Sequence, residues 1–107
     1  MVDEKSLNNI KGIGVDITLI SRIEKDEQRI AKYILTSNEY QQYLQSDHKT
    51  HFLAGRWASK EAFVKAKGGN IKDYEILNDE NGKPICKDGL VSISHDGDYA
   101  ISFVVVK

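Results

Sequence analysis

The segment from His51 to Lys67 does most to limit how this chain can fold. It is rich in Ala and Lys with one Glu, contains no proline, is opened by Thr50 and is stopped by Gly68-Gly69. One long helix is predicted there, because Ala, Lys and Glu lose little side-chain freedom in a helix and a glycine pair accepts the left-handed backbone that ends one. With 107 residues in all, a single domain over residues 1–107 is expected around that helix. A chain so short leaves much of its surface uncovered, so oligomerisation is expected to help stabilise it.

At 100° per residue, with Glu61 placed at zero, Leu53, Val64, Trp57, Ala54, Ala58 and Ala62 fall between about −80° and +100°. Glu61 is then centred in the apolar arc predicted to face the core, and Lys65, one turn on, interrupts the same stripe about 40° away. A buried carboxylate needs a cation or a ligand. An i,i+4 pair with Lys65 at the edge of the buried face, contributing about 0.2–0.5 kcal/mol, meets that need in the simplest way. Coordination of a metal is the other way.

The remaining segments are shorter. Ile13, Val15, Ile17 and Leu19 alternate with Gly14, Asp16 and Thr18, which predicts a strand whose apolar face meets the core and whose Asp16 points away from it. Ser21 is expected to cap a helix starting near Arg22, and Thr36 or Ser37 a second helix carrying Tyr40, Tyr43 and Leu44. Tyr74 to Asn78 and the run around Ile85 flank Asn81-Gly82 as a hairpin, with Pro84 marking an edge strand. Leu90 to His95 and Tyr99 to Val106 flank Asp96-Gly97 as a second hairpin. A strand, then helices, then antiparallel strands make the fold class α+β.

Composition narrows the function classes. Fifteen basic and sixteen acidic residues give a formal charge of −1, so no global field favours nucleic acid or an anionic membrane, and any phosphate site must be local. No apolar run approaches the roughly 20 residues that cross a bilayer. Cys86 is the single cysteine, and the polar extension Met1 to Asn9 lacks the apolar core of a signal peptide. The cytoplasm is the expected compartment.

Several residues carry candidate chemistry. Asp16 lies between Gly14 and Thr18 on its strand face, small groups that leave room for a ligand or metal, although a solvated strand residue would look the same. Gly12 and Gly14 do not form a dinucleotide fingerprint, since the third glycine position holds Ile17 and the glycines enter a strand. His95 ends a strand with Ser92 and Ser94, where an imidazole is available for phosphate contact or proton transfer, or for a structural hydrogen bond. His48 and His51 lack the partners of a zinc set. Arg56, Lys60, Lys65 and Lys67 offer local positive charge for phosphates or a solvated helix face.

Three segments taken together, Gly12-Ile-Gly-Val-Asp16, Phe52-Leu-Ala-Gly-Arg-Trp-Ala-Ser-Lys-Glu-Ala-Phe-Val-Lys65 and Val91-Ser-Ile-Ser-His95, resemble the holo-acyl-carrier-protein synthases, small bacterial phosphopantetheinyl transferases. Asn81-Gly-Lys-Pro84 resembles that family's hairpin turn, and the likeness runs from Ile10 to Val106. The resemblance implies a phosphopantetheinyl transferase fold, an antiparallel sheet packed with one long central helix and shorter helices. It implies that Asp16 and Glu61 hold Mg²⁺ with the coenzyme A pyrophosphate, and that Lys65 lies beside the phosphates as a catalytic and substrate-binding cation. Arg56 and His95 match positions at the nucleotide end of coenzyme A, and Gly68-Gly69 would border its adenine. Arg22 matches an arginine presented to the carrier protein; a solvated arginine paired with Asp26 is the plainer reading.

The implied reaction is attack by a serine of apo-acyl carrier protein on the β-phosphorus of coenzyme A, giving holo-carrier protein and adenosine 3′,5′-bisphosphate in support of fatty acid biosynthesis. The serine's proton acceptor stays open between Glu61, a water at the metal and a group near His95. The resemblance further implies a homotrimer with sites between subunits. The chain departs from the family in its extension before Lys11, a short stretch after Gly69 and almost no tail beyond Val106. A carrier-protein-binding module without turnover is the alternative within the same fold, and a structural protein whose charges form surface pairs is a third reading.

Overall fold

The structure, a computed structural model, describes residues 9–107. The polar extension 1–9 therefore lies outside the described residues except for Asn9. Strand β1 (Gly12–Leu19) leads into three short helices, α1 (Ile20–Glu24), α2 (Glu27–Ile34) and α3 (Ser37–Gln45), and then into the long helix α4 (Lys49–Lys67). A 3₁₀ turn (Ile71–Asp73) and a short hairpin, β2 (Leu77–Asn78) with β3 (Pro84–Ile85), precede the hairpin of β4 (Gly89–Asp96) and β5 (Tyr99–Val106). The sheet has the order β1-β5-β4, antiparallel throughout, so the strand opening the fold pairs with the one closing it, Gly12 opposite Val106 and Leu19 opposite Tyr99. This is the α+β architecture expected from the sequence.

Local chemistry accounts for most boundaries. Thr36 caps α3 in a reciprocal box with Glu39, which satisfies two backbone donors that a helix start leaves free. Gly68 and Gly69 take φ of +88° and +82° and end α4, a conformation disfavoured for residues with a Cβ. Helix α1 differs from expectation. Ser21 does not cap it; the Ser21 hydroxyl donates to Asp98 Oδ2 at 2.7 Å, while Asp98 Oδ1 accepts the Ser21 amide at 3.0 Å. The cap thus comes from the turn of the β4-β5 hairpin, a tertiary contact with no local signature. The predicted helix near Arg22 also breaks at Lys25-Asp26 and resumes as α2.

Two predicted faces are reversed. Gly12, Gly14, Asp16 and Thr18 face α4, whereas Ile13, Val15 and Ile17 lie on the other side of the sheet, each more than half exposed. The cause is the closeness of α4. A Cβ on Gly14 would lie 2.0 Å from the Ala62 carbonyl oxygen, and one on Gly12 2.2 Å from that of Ala66. Only small residues fit there, and Ala100 and Ser102 of β5 continue the same row. A period of two marks two faces but does not say which of them a helix covers.

Helix α4 is correspondingly turned. Leu53, Ala54, Gly55, Arg56, Ala58, Ser59, Lys60, Ala62 and Phe63 are buried, so the core face keeps Leu53, Ala54, Ala58 and Ala62 of the predicted arc but is turned away from its centre toward Ser59 and Phe63. Trp57, Glu61 and Val64 are half-buried and Lys65 is exposed. Glu61 sits at the open edge of the helix and not in the middle of the buried stripe. The polar face expected around Lys60 is closed by α2, α3 and the chain after the 3₁₀ turn. The Lys60 ammonium is wholly buried, donating to Ile34 O at 2.8 Å, Tyr74 O at 2.7 Å and Glu39 Oε1 at 2.6 Å.

Candidate functional site

Because the small residues of β1 seat α4 so closely, polar side chains from the two elements meet at the edge of the sheet. Lys65 Nζ lies 3.0 Å from Asp16 Oδ1 and also donates to the Val15 carbonyl at 3.0 Å. The Asp16 carboxylate accepts a second bond from Thr18 Oγ1 at 3.0 Å. The i,i+4 pair between Glu61 and Lys65 does not form, since Lys65 reaches across to β1. Among the described residues the Glu61 carboxylate has no hydrogen bond or ion pair. It lines, with Asp16, Thr18, Arg22, Ile23 and Trp57, a cavity of about 310 Å³.

Two carboxylates on one cavity, one of them without a protein cation, suit a hard divalent cation. Mg²⁺ is commonly held by one or two carboxylates, with water and phosphate oxygens completing its shell. Among the described residues there is no cluster of three or more metal-ligating side chains. The residues present therefore fit Mg²⁺. Arg22 borders the same cavity, and its suggested partner Asp26 is engaged by Arg29 instead.

A second cavity, of about 460 Å³, opens at the N-terminal half of α4. Arg56 and His95 line it together with His48, His51, Phe52, Gly55 and Asn78. Arg56 is only 3% exposed; its Nη2 donates to Asn78 Oδ1 at 2.8 Å, its guanidinium stacks 4.2 Å from the Phe52 ring centre, and its Nε has no partner. Burial pulls the Arg56 pKa down to about 10, with Glu39 opposing, although Glu39 is itself tied to Lys60. A buried guanidinium with no carboxylate bonded to it suits an anion. Gln42 braces Asn78: the Asn78 backbone N–H donates to Gln42 Oε1 and its backbone carbonyl accepts from Gln42 Nε2, both at 2.9 Å.

The structure thus brings Asp16, Glu61, Lys65 and Arg22 to one place and Arg56 with His95 to another. Gly68 lines neither cavity; it closes α4, where its carbonyl accepts from the Tyr74 hydroxyl. Sequence reasoning missed Asn78 and set His48 and His51 aside. Helical spacing held the signal for the last two, since His48, Phe52 and Arg56 recur at i, i+4 and i+8, and His51 and Gly55 at i and i+4. No local pattern marks Asn78, which reaches Arg56 across 22 residues of chain.

The sequence model described as the 4′-phosphopantetheinyl transferase superfamily matches residues 12–104. A holo-[acyl-carrier-protein] synthase of Geobacillus sp. is 44% identical over 92% of this chain and 97% of its own length. Among solved structures, a holo-(acyl-carrier-protein) synthase from Bacillus anthracis in complex with coenzyme A (3′,5′-ADP) superposes with a TM-score of 0.79 at 39% identity, covering 91% of this chain and 96% of that one. The holo-[acyl-carrier-protein] synthase of Neisseria meningitidis gives 0.80 at 31% identity, covering 92% and 98%.

Proposed function

Because the chain belongs to the 4′-phosphopantetheinyl transferase superfamily, and within it to the holo-[acyl-carrier-protein] synthases, we propose that it transfers the 4′-phosphopantetheine arm of coenzyme A to a serine of apo-acyl carrier protein, at a Mg²⁺ held by Asp16 and Glu61. The observation that carries the residue assignment is the Asp16 and Lys65 pair, 3.0 Å apart, beside a cavity that Glu61 lines without an ion-pair partner among the described residues. A non-catalytic module would have no need to keep this arrangement.

When bound, Mg²⁺ supplies positive charge that orients the pyrophosphate and favours charge developing on the leaving group. The protein's own groups do the rest. Asp16 and Glu61, one on a strand and one on a helix, fix the ligand oxygens on rigid elements. Lys65, held by Asp16 and by the Val15 carbonyl, keeps its ammonium in place, so little reorganisation is needed as the leaving phosphate becomes more negative. Arg56 and His95 hold the nucleotide end, and Arg22 receives the carrier protein, whose surface near the modified serine is acidic. In this reading the chain works as one domain in the cytoplasm and supplies holo-carrier protein for fatty acid synthesis.

The assembly belongs to the same proposal. Ile13, Val15 and Ile17 of β1, Tyr99, Ile101 and Phe103 of β5 and Leu90 of β4 form one exposed apolar sheet face. A contiguous patch of this kind marks an association surface, and a homotrimer would cover it. Gly68, remote from the Arg56 cavity along α4, would border the adenine if neighbouring subunits bring one helix end against another subunit's cavity. The test of the activity is the intact mass of apo-acyl carrier protein incubated with this protein, coenzyme A and Mg²⁺. One added phosphopantetheine on the serine is expected; an unmodified carrier overturns the reading.

A further inference from the structure

Three imidazoles surround the mouth of the Arg56 cavity. His95 and His51 have ring centres 5.5 Å apart, and His51 and His48 6.1 Å apart. Every ionisable side chain lining the cavity is basic: His48 at the start of α4, His51 and Arg56 on it, and His95 on β4; the hairpin contributes Asn78, Gly82 and Pro84, none of which titrates. With no carboxylate on the wall, nothing in the cavity offsets the charge these rings acquire when protonated, except a bound anion.

The hydrogen bonding of His95 sharpens this. Its Nε2 lies 3.0 Å from the His51 carbonyl oxygen. A carbonyl only accepts, so Nε2 carries the proton, and in the neutral ring Nδ1 is left as a lone pair. A phosphate oxygen is also only an acceptor. His95 can therefore donate to a phosphate through Nδ1 only after a proton from solvent has been added there, giving an imidazolium. The His48 and His51 rings make no hydrogen bond among the described residues and are free to do the same.

We propose that His48, His51 and His95 form, with Arg56, a proton-coupled phosphate site, so that coenzyme A and adenosine 3′,5′-bisphosphate bind in this cavity with net uptake of protons by the imidazoles. The inference rests on the reading of the cavity as the nucleotide end of the coenzyme A site, and adds His48 and His51 to the residues that hold it. Arg56 supplies a permanent charge and the rim a conditional one. Charge-assisted bonds to phosphate are roughly twice as strong as neutral ones, so affinity follows the charge state of the rim.

The experiment is isothermal titration calorimetry of the full chain with adenosine 3′,5′-bisphosphate at pH 7.5, in two buffers of different ionisation enthalpy, repeated at pH 6.5 and 8.5. The difference in heat between buffers counts the protons taken up. Uptake of about one proton is expected, with affinity strengthening by up to about tenfold per pH unit as pH falls, as linkage requires. The triple substitution His48→Gln, His51→Gln and His95→Gln should abolish the uptake and weaken binding several-fold at pH 6.5, with a smaller loss at pH 8.5. All three rings are exposed, so the variant should fold, and His48→Gln alone should lower the uptake in part. Binding with no heat difference between buffers overturns the inference while leaving the transfer activity standing. So does uptake that persists undiminished in the triple variant, since the proton then resides on the phosphate. If neither the bisphosphate nor coenzyme A binds the unsubstituted protein, this inference falls and the nucleotide-site reading falls with it.

Discussion

Replacing Lys60 by Met probes what fastens the helical layer to α4. The Lys60 ammonium is 0% exposed and places one hydrogen bond each on Ile34 O, Tyr74 O and Glu39 Oε1. Burial pulls its pKa below the ordinary lysine value and Glu39 pushes it back up. Methionine keeps nearly the same volume, so no cavity term enters. What is lost is the cation. Removing one partner of a buried ion pair costs about 3–5 kcal/mol, and each carbonyl deprived of its donor adds about 1–3 kcal/mol, the contributions overlapping. Glu39 retains its bonds from the Thr36 and Ile76 amides, which holds the expected loss near the lower end. We expect at least about 3 kcal/mol, a large part of the roughly 5–15 kcal/mol by which a domain is stable. In urea this lowers the midpoint by roughly 2 M for a domain of this size. Adding Glu39→Gln to Lys60→Met removes the stranded charge but turns an NH2 group toward the Thr36 or Ile76 amide, so the double variant should lose less than the sum of the two singles without recovering the unsubstituted stability. A Lys60→Met variant within about 1 kcal/mol of the unsubstituted protein, or a double variant as unstable as the sum of the two singles, would refute the argument.

Lys65→Met should lower turnover by about a hundredfold while weakening coenzyme A binding far less, because its charge matters most as the leaving phosphate becomes more negative; single-turnover kinetics beside equilibrium binding reads both. Arg22→Glu should raise the KM for carrier protein about tenfold, leave coenzyme A binding nearly unchanged and flatten the salt dependence of association. If Arg22 is only a surface charge, neither constant moves. Phe103→Glu, on the exposed sheet face, should convert a trimer to monomers in sedimentation velocity, with activity falling alongside; a fully active monomer of the unsubstituted chain would remove the assembly from the account.

Much of the fold could be read from residues that act locally. The Thr36 and Glu39 box, the Gly68-Gly69 stop and the Asn81-Gly82 turn do their work within a few residues and mark element boundaries where expected, while the second hairpin turns one residue later than expected, at Gly97-Asp98, with Asp96 paired to Tyr99. What failed was orientation. The alternation in β1 was visible, but a rule that turns apolar residues inward assigned the wrong face, because in this chain the apolar face is exposed and glycines accept the helix. The same rule placed Glu61 in the core. Lys60 was read as a phosphate-facing or solvated cation for a related reason: its partners Ile34, Glu39 and Tyr74 are scattered along the sequence, and nothing near Lys60 signals that the chain closes over it. Asp16, Glu61, Lys65, Arg56 and His95 were nevertheless singled out from their residue types and spacing. Their grouping into two cavities required the fold.

The central claim is that Asp16 and Glu61 together hold the cation that orients coenzyme A. It is tested most directly by measuring carrier-protein modification against Mg²⁺ concentration for the unsubstituted protein, Asp16→Asn and Glu61→Gln, with folding verified by circular dichroism. Each substitution keeps the side chain's size and removes one negative ligand. The account predicts that the unsubstituted protein saturates, and that each variant falls by about a hundredfold or more at limiting Mg²⁺ and recovers only in part when Mg²⁺ is raised. Unchanged turnover of either folded variant at limiting Mg²⁺ would contradict it.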